Sequence, residues 1–414
     1  MAVGRTGMIA ALDVGTTKVC CFVARAEADG LRVVGTGCQL SRGVRAGAIV
    51  DMEAAEAAIR GAVDAAERMA DETVREVFVN VSGGRPASNA VAVEVPINGH
   101  EVSRRDVIRV VEQGRMRADP GDRAVIHAIP VGYTIDGDRG IRDPRGMYGE
   151  RLGVTTHVVT AAAGATRNLR VCVERCHLDI AGLVVSPYAS ALATLVEDEK
   201  ELGATFLDMG GGTTSIAVFH DGHFIYTDSV PVGGCHITSD IAQGLSTPLA
   251  HAERMKTLFG SAIASPSDER ELIDVPLVGE SAAEDANHIP RSLLNGIVRP
   301  RVEEILELVR GRLEAVGLDR RVGRRLVLAG GASQLQGMRE LAARVLDKQV
   351  RTGRPAAMAG LATAAAGPAF AVCAGLLRYA AEPRDEAAGT APWMAAKEPG
   401  GRFARVGKWL LSNF

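Results

Sequence analysis

The chain has 414 residues, 47% apolar and 23% charged, proportions that allow a buried core and exclude a disordered chain. That length exceeds one ordinary domain, so at least two cores are expected. Lys and Arg number 47 against 50 Asp and Glu, a net charge of −3 that gives no overall attraction for nucleic acid.

The elements read in chain order as follows. Met1 to Gly7 carries only Arg5 as charge and no cleavable apolar stretch follows, so a cytoplasmic protein is expected. Leu12-Asp13-Val14-Gly15-Thr16-Thr17 lies between two β-prone apolar runs, the second starting at Lys18, and reads as a hairpin tip. Met52 to Ala70 is Ala-rich and helical, and Arg75 to Val81 is a short β-branched strand. Residues 83–162 then break the rhythm: a strand over Ala87 to Val95, a helix over Arg104 to Arg117, and extended segments over Ala124 to Ile135 and His157 to Thr160. This stretch reads as a compact inserted subdomain.

Beyond it, Ala165 to His177 reads as a helix, Ile180 to Ser186 as a strand, and Ala189 to Glu199 as one helix. Leu207-Asp208-Met209-Gly210-Gly211-Gly212-Thr213-Thr214 repeats the first hairpin in outline, and Ser215 to Phe219 supplies the outgoing strand. Neither glycine turn opens a helix, which excludes a Rossmann site, and no G-x-x-x-x-G-K-[ST] run exists. Helices are expected near His251 to Leu258 and Leu293 to Val316. A strand over Leu326 to Leu328 ends in Ala329-Gly330-Gly331-Ala332, and the uncharged stretch between Arg354 and Arg378 is expected to form a buried Ala-rich helix. Alternating elements of this kind indicate an α/β fold.

The chemistry concentrates in the glycine turns. A triphosphate needs backbone N–H groups from two sides, and glycine permits that approach. Thr16, Thr17, Thr213 and Thr214 can add hydroxyls and Lys18 a charge. Asp13 and Asp208 would hold Mg²⁺ through waters, since Mg²⁺ dehydrates reluctantly. Gly330, Gly331 and Ala332 would give adenosine a flat shelf. Elsewhere the side chains read as structural. Cys172 and Cys176 lie one turn apart beside His177 without a fourth ligand, and the seven cysteines as a group read as reduced, mostly buried small hydrophobes.

Two phosphate hairpins half a chain apart, followed by a strand-Gly-Gly-Ala turn, resemble the actin, Hsp70 and sugar-kinase superfamily. Glu253 and Lys256 fall where that superfamily's adenine-side helix offers Glu and Lys to ribose and base, although an i,i+3 ion pair is otherwise commonplace. Within the superfamily the chain most resembles the FtsA family of bacterial cell-division proteins, through Ser41-Arg42-Gly43-Val44 with Gly47, His127-Ala128-Ile129-Pro130, Thr238-Ser239-Asp240-Ile241-Ala242 and the insertion at 83–162. The resemblance implies a duplicated, actin-like (ribonuclease H-like) α/β fold. Its first domain, subdomain 1A, would take residues 1–82 with 163–203, and the inserted subdomain 1C residues 83–162. Subdomain 2A would take 204–234 with 326–380, and subdomain 2B 235–325.

The same resemblance implies ATP and Mg²⁺ as ligands, self-association into a homo-oligomer or filament, and tethering of the tubulin-like FtsZ ring to the membrane by FtsZ's acidic tail. Later division proteins would join at the division site, on the cytoplasmic face of the inner membrane. Arg299-Pro300-Arg301, read as a helix start, and the basic run Arg320 to Arg325 are the candidate surfaces for that tail. MreB and Hsp70 carry a Glu-Pro-x-Ala-Ala-Ala segment whose acid lies near the γ-phosphate. This chain has Ser186-Pro187-Tyr188-Ala189-Ser190-Ala191, so slow or negligible hydrolysis by a non-enzymatic scaffold is expected.

The chain's end supports a membrane role by its own pattern. Residues 381–399 mix Pro, Ala, Gly and Glu and read as a flexible linker. Over 400–414, Phe403, Val406, Leu410, Leu411 and Phe414 share one helical face, Trp409 sits at its boundary, and Arg402, Arg405 and Lys408 supply positive charge. Such a helix lies on anionic lipid as a reversible anchor. The rival readings are a sugar or small-metabolite kinase of the superfamily, which would leave this tail unexplained, and a PilM-like adaptor.

Overall fold

In a computed structural model the described residues are 7–28, 30–118, 120–279 and 287–382. The tail at 400–414, with Arg402, Phe403, Arg405, Val406, Lys408, Trp409, Leu410, Leu411 and Phe414, lies outside them, as does the linker beyond residue 382. No helix among the described residues is long and apolar enough to cross a membrane.

The repeat seen in the sequence is a repeat of topology. The first sheet has five strands in the order Asp179–Val185, Glu76–Val81, Met8–Val14, Lys18–Glu27, Gly30–Leu40. The second is ordered Gln349–Thr352, Arg325–Ala329, Ala204–Met209, Thr214–His220, His223–Val230. In both, an antiparallel three-strand meander is extended by two parallel strands, and the meander's first turn carries the glycine motif. Strand Met8–Val14 is buried from Ile9 onward and Ala204–Met209 throughout, as expected of central strands with both faces covered.

Small residues set the spacing of the layers. Helix Met52–Ala70 starts on Asp51, whose side chain accepts from the Ala54 N–H at 3.1 Å, and it buries Ala55, Ala58, Ile59, Ala62, Val63 and Ala66 on one face. That face lies on strand Gly30–Leu40, where a Cβ at Gly37 would stand 1.9 Å from the Ala62 carbonyl oxygen. Helices Ser186–Thr194 and Ala371–Ala381 cross as closely: a Cβ at Gly375 would stand 1.7 Å from the Ala189 carbonyl oxygen. In the second half, helix Arg291–Ala315 buries Leu294, Val298, Val302, Ile305, Leu306, Val309 and Leu313 in an apolar cluster shared with Leu207, Ile216, Val218 and Leu328 of the second sheet.

A smaller compact unit comprises residues 90–118 and 128–156. Its core gathers Val93, Val95, Ile97, Val110, Val111, Tyr133, Ile135, Leu152 and Val154 around helix Arg104–Arg117. That helix opens with a capping box between Ser103 and Asp106, and hydrogen bonds from Ser103 push the Asp106 carboxyl down to about 2.

Three sequence expectations need correction. The stretch from Arg354 to Arg378 is helical only from Ala371; before it lie short 3₁₀ turns at Thr363–Ala365 and Pro368–Phe370. Gly360 is held at φ +76° with its α-carbon so near Val33 that a Cβ would stand 2.1 Å from the Val33 carbonyl, and neither that contact nor Pro368 allows a continuous helix. The helix expected over Ala189 to Glu199 is two, Ser186–Thr194 and Glu197–Leu202, separated by extended Leu195 and Val196. There Glu199 turns inward to Arg325 at 3.0 Å and to Arg351, and caps the second helix at the Val196 N–H. Finally, Arg299-Pro300-Arg301 does not start a helix. The helix begins at Arg291 and runs through Pro300, its buried stripe offsetting the missing backbone bond.

Candidate functional site

The two glycine hairpins are built alike. Gly15 N–H donates to the Lys18 carbonyl at 3.0 Å, and Gly210 N–H to the Thr213 carbonyl at 2.9 Å. The tips approach each other so closely that side chains are excluded: a Cβ at Gly211 would stand 2.0 Å from Thr17 Oγ1, and one at Gly212 2.7 Å from Thr16 Oγ1. Helix Gly234–Gly244 opens directly on the second hairpin, with Gly234 N–H donating to the Gly210 carbonyl at 2.9 Å and Cys235 N–H to the Gly211 carbonyl at 2.8 Å.

Behind the tips lies a cavity of about 450 Å³. Its walls include Asp13, Gly15, Thr16, Thr17, Lys18, Asp208, Gly210, Gly211, Gly212, Thr213, Glu253, Lys256, Gly330, Gly331 and Ala332, so nearly every residue singled out in the sequence converges there. Thr214 does not. It is the first residue of the outgoing strand, is fully buried, and donates to the Val232 carbonyl at 2.9 Å, because strand alternation turns it away from the tip.

The carboxylates Asp13 and Asp208 stand next to last in the corresponding central strands Met8–Val14 and Ala204–Met209, and are 6% and 8% exposed. Burial pushes Asp13 up to about 6, with the Lys18 charge acting in opposition. Burial first, and then the negative charge of Asp13, push Asp208 up to about 7. Two buried, mutually repelling carboxylates in the wall of one cavity fit a hydrated divalent cation, whose charge would relieve both effects. Lys18 lies with its Nζ 3.5 Å from the centroid of the Phe370 ring and donates to the Ala369 carbonyl.

On the far wall, Lys256 Nζ donates to Glu253 Oε2 at 2.7 Å, to Thr238 Oγ1 at 2.9 Å and to the Gly234 carbonyl at 3.1 Å. The pair thus ties helix Leu249–Phe259 to the helix that opens on the second hairpin. Gly330 holds φ +85°, and a Cβ there would stand 2.4 Å from the Met209 carbonyl; beside it Gly331 faces open space.

Sequence reasoning missed Asn80 and Cys235 in this wall. Asn80 Oδ1 accepts from the Val14 N–H at 2.7 Å and its Nδ2 donates to Ser186 Oγ at 3.1 Å, so one amide fixes both the first hairpin's root and the start of helix Ser186–Thr194. A polar residue inside the apolar run Val77 to Val81 is the signal that could have marked it. Cys235 Sγ lies 3.8 Å from Thr17 Oγ1 across the tips, and nothing in its sequence context distinguishes it.

Arg299 and Arg301 lie away from this cavity on helix Arg291–Ala315, each already opposed by acid: Arg299 by Glu303 at 2.8 Å, and Arg301 by Asp240 at 2.5 Å and by Glu304.

The family model for the cell division protein FtsA matches residues 205–375, and the model for the SHS2 domain inserted in FtsA matches residues 83–160. The cell division protein FtsA of Rhizobium meliloti (strain 1021) is 45% identical, over 99% of this chain and 96% of its own. The chain belongs to the FtsA family. Among solved structures, the PilM-PilN type IV pilus biogenesis complex matches with TM-score 0.64 at 18% identity, over 92% of this chain and 100% of that one. MreB5 of Spiroplasma citri bound to ADP matches with TM-score 0.54 at 15% identity, over 90% and 96%. These neighbours give the fold, which is actin-like, and the FtsA family members are cell-division proteins.

Proposed function

We infer that the protein is an ATP- and Mg²⁺-binding scaffold of cell division that assembles beneath the cytoplasmic membrane and anchors the FtsZ ring there. The observation that carries this reading is the convergence of both glycine hairpins, Asp13, Asp208 and the Gly330-Gly331 shelf on one cavity. The backbone N–H groups at the hairpin tips, from Thr16 to Lys18 and from Gly211 to Thr213, would take the phosphates, with the Thr16, Thr17 and Thr213 hydroxyls and the Lys18 ammonium beside them. Asp13 and Asp208 would orient the waters of Mg²⁺, which supplies neutralising charge to the phosphates. Glu253 and Lys256 would meet the ribose and base over Gly330, Gly331 and Ala332. The MreB5 neighbour, solved with ADP, is consistent with this use of the fold.

The wall residue that would face the γ-phosphate is Ser186, 2% exposed and bonded to Asn80. A hydroxyl orients a water but does not take its proton at neutral pH, so ATP acts as a conformational ligand with slow turnover. The division of labour follows the division of the chain: residues 1–82 with 163–203 and 204–234 with 326–380 hold the phosphates and the cation, and 235–325 adds Glu253 and Lys256 at the ribose and base and takes the FtsZ tail. The subdomains together serve self-association, residues 83–162 take later division proteins, and 400–414 binds anionic lipid. The acidic FtsZ tail would exchange with Glu303 and Asp240 for Arg299 and Arg301. Calorimetric titration with ATP tests the core of this reading: Mg²⁺-dependent one-site binding is expected, and absence of binding with or without Mg²⁺ would overturn it.

A further inference from the structure

We propose that Cys20 and Cys38 are an oxidation site, closing to a reversible intramolecular disulfide when the protein meets a peroxide. The two residues are register partners on the adjacent antiparallel strands Lys18–Glu27 and Gly30–Leu40. Their pair type follows from the hydrogen bonds. Ser41 N–H donates to the Thr17 carbonyl at 3.0 Å, so Thr17 and Ser41 form a hydrogen-bonded pair. Alternation along the ladder makes Val19 and Gln39 hydrogen-bonded and Cys20 and Cys38 non-hydrogen-bonded. In such pairs the α-carbons lie about 4.5 Å apart and the side chains approach most closely. That is at the short end of the roughly 4.4–6.8 Å span of disulfides, so the α-carbon spacing permits closure. The ladder's irregularity falls between Val23 and Ala24, past this pair.

Both thiols lie on one face. Gly35 and Gly37 press against helix Met52–Ala70, which leaves Cys38 on the opposite side with Cys20 and Phe22, where Phe22 stacks on Phe370 at 6.0 Å. Cys38 is exposed and Cys20 fully buried, the division of labour between a thiol that meets oxidant and one that resolves it. No other cysteine among the described residues has a cysteine as its strand partner. Cys172 and Cys176 sit one helical turn apart, and Cys235 faces Thr17.

The chemistry balances with a peroxide as oxidant. The Cys38 thiolate attacks one oxygen of hydrogen peroxide, the O–O bond breaks, and with one proton a sulfenic acid and water result. Cys20 sulfur then attacks the Cys38 sulfur, the S–O bond breaks, and the Cys20 proton leaves with hydroxide as a second water. The product joins the edge strand to the strand that begins with Lys18. This site stands independently of the nucleotide reading.

The test treats the full chain with hydrogen peroxide, alkylates it under denaturing conditions and maps the peptides by mass. Alkylatable thiols are expected to fall by two per chain, with one Cys20–Cys38 cross-linked peptide, a monomer on a non-reducing gel, and full recovery with dithiothreitol. Cys38→Ser is expected to abolish the bridge. Cys20→Ala is expected to leave a dimedone-reactive sulfenic acid at Cys38 and no bridge, with an unchanged melting curve under reducing conditions. Cys20→Ser serves as the second variant should the alanine melt early. The proposal fails if the unsubstituted chain keeps a trappable sulfenic acid at Cys38, if Cys38 bridges between chains, or if all thiols survive the peroxide.

Discussion

Replacing Gly331 by alanine adds one methyl group to the wall of the cavity, at a position with nothing within 4 Å of the new Cβ. Its φ is outside the left-handed region, so the folded chain accepts the methyl and the unfolded chain loses freedom. The ligand-free protein should therefore be equally stable or more stable by about 0.4–1 kcal/mol. The same methyl stands where the adenine would lie flat on the Gly330-Gly331 peptide. Face contacts of a base with a flat partner are worth about 1–3 kcal/mol, and losing most of one weakens the dissociation constant roughly 5- to 150-fold. Calorimetric ATP titration with Mg²⁺, alongside thermal melting without nucleotide, measures both halves. Unchanged ATP affinity would refute the placement of adenosine on Gly331, and a melting point lowered by several degrees would refute the open space. Gly330→Ala cannot replace this experiment. Its φ of +85° and the Met209 carbonyl 2.4 Å from the new Cβ would unfold the turn itself.

Further substitutions separate binding from folding. Asp208→Asn removes one of two buried, repelling carboxylates, so the ligand-free protein should melt no lower than the parent. The stabilisation by Mg²⁺ and ATP, about 2.7 kcal/mol at a hundredfold excess over the dissociation constant, should disappear from the thermal shift. Gly37→Ala forces helix Met52–Ala70 off its strand, since the new Cβ would lie 1.9 Å from a backbone oxygen; a loss of about 1–3 kcal/mol or more is expected in urea denaturation.

His157 is 1% exposed, and burial pushes it down to about 4, with the His127 charge adding to the shift and the hydrogen bond to the Phe224 carbonyl opposing it. The imidazole is neutral in the fold but takes a proton below about 6.5 when unfolded. Its contribution is therefore complete above pH 6.5 and lost as pH falls toward 4, by about 3 kcal/mol. Denaturation midpoints of the parent should drop more steeply over this window than those of His157→Gln; parallel curves would contradict the assignment.

The legible regions of the molecule were those where one residue type answers one local demand. Each Asp-x-Gly turn announces itself because a backbone that must face phosphate from a hairpin tip tolerates only glycine, and the duplicated copy fixed the duplicated sheet. Helix Arg104–Arg117 was read to the residue, since Ser103 caps it and the apolar spacing is regular. What escaped was decided by contacts distant in sequence. Asn80 acts by joining Val14 to Ser186, and a strand reading cannot supply that pairing. Leu195 and Val196 interrupt the helical run because Glu199 is drawn to Arg325 and Arg351, residues far along the chain. The uncharged run before Ala371 has helical composition, yet Gly360 is committed to Val33 of the first sheet. Thr214 shows the limit at the site itself: the motif places it beside Thr213, but strand alternation gives its hydroxyl to Val232.

The most direct measurement is sedimentation of the full chain with anionic liposomes, with and without Mg²⁺ and ATP, beside a chain ending at Gly400. On the proposed function, tails bound to lipid would reinforce one another when the nucleotide state favours assembly, because each new contact within an assembly would be made at high effective concentration. The expected result is tail-dependent pelleting that rises with ATP and falls with salt. Equal pelleting of the two chains, or none by either, would contradict the membrane scaffold.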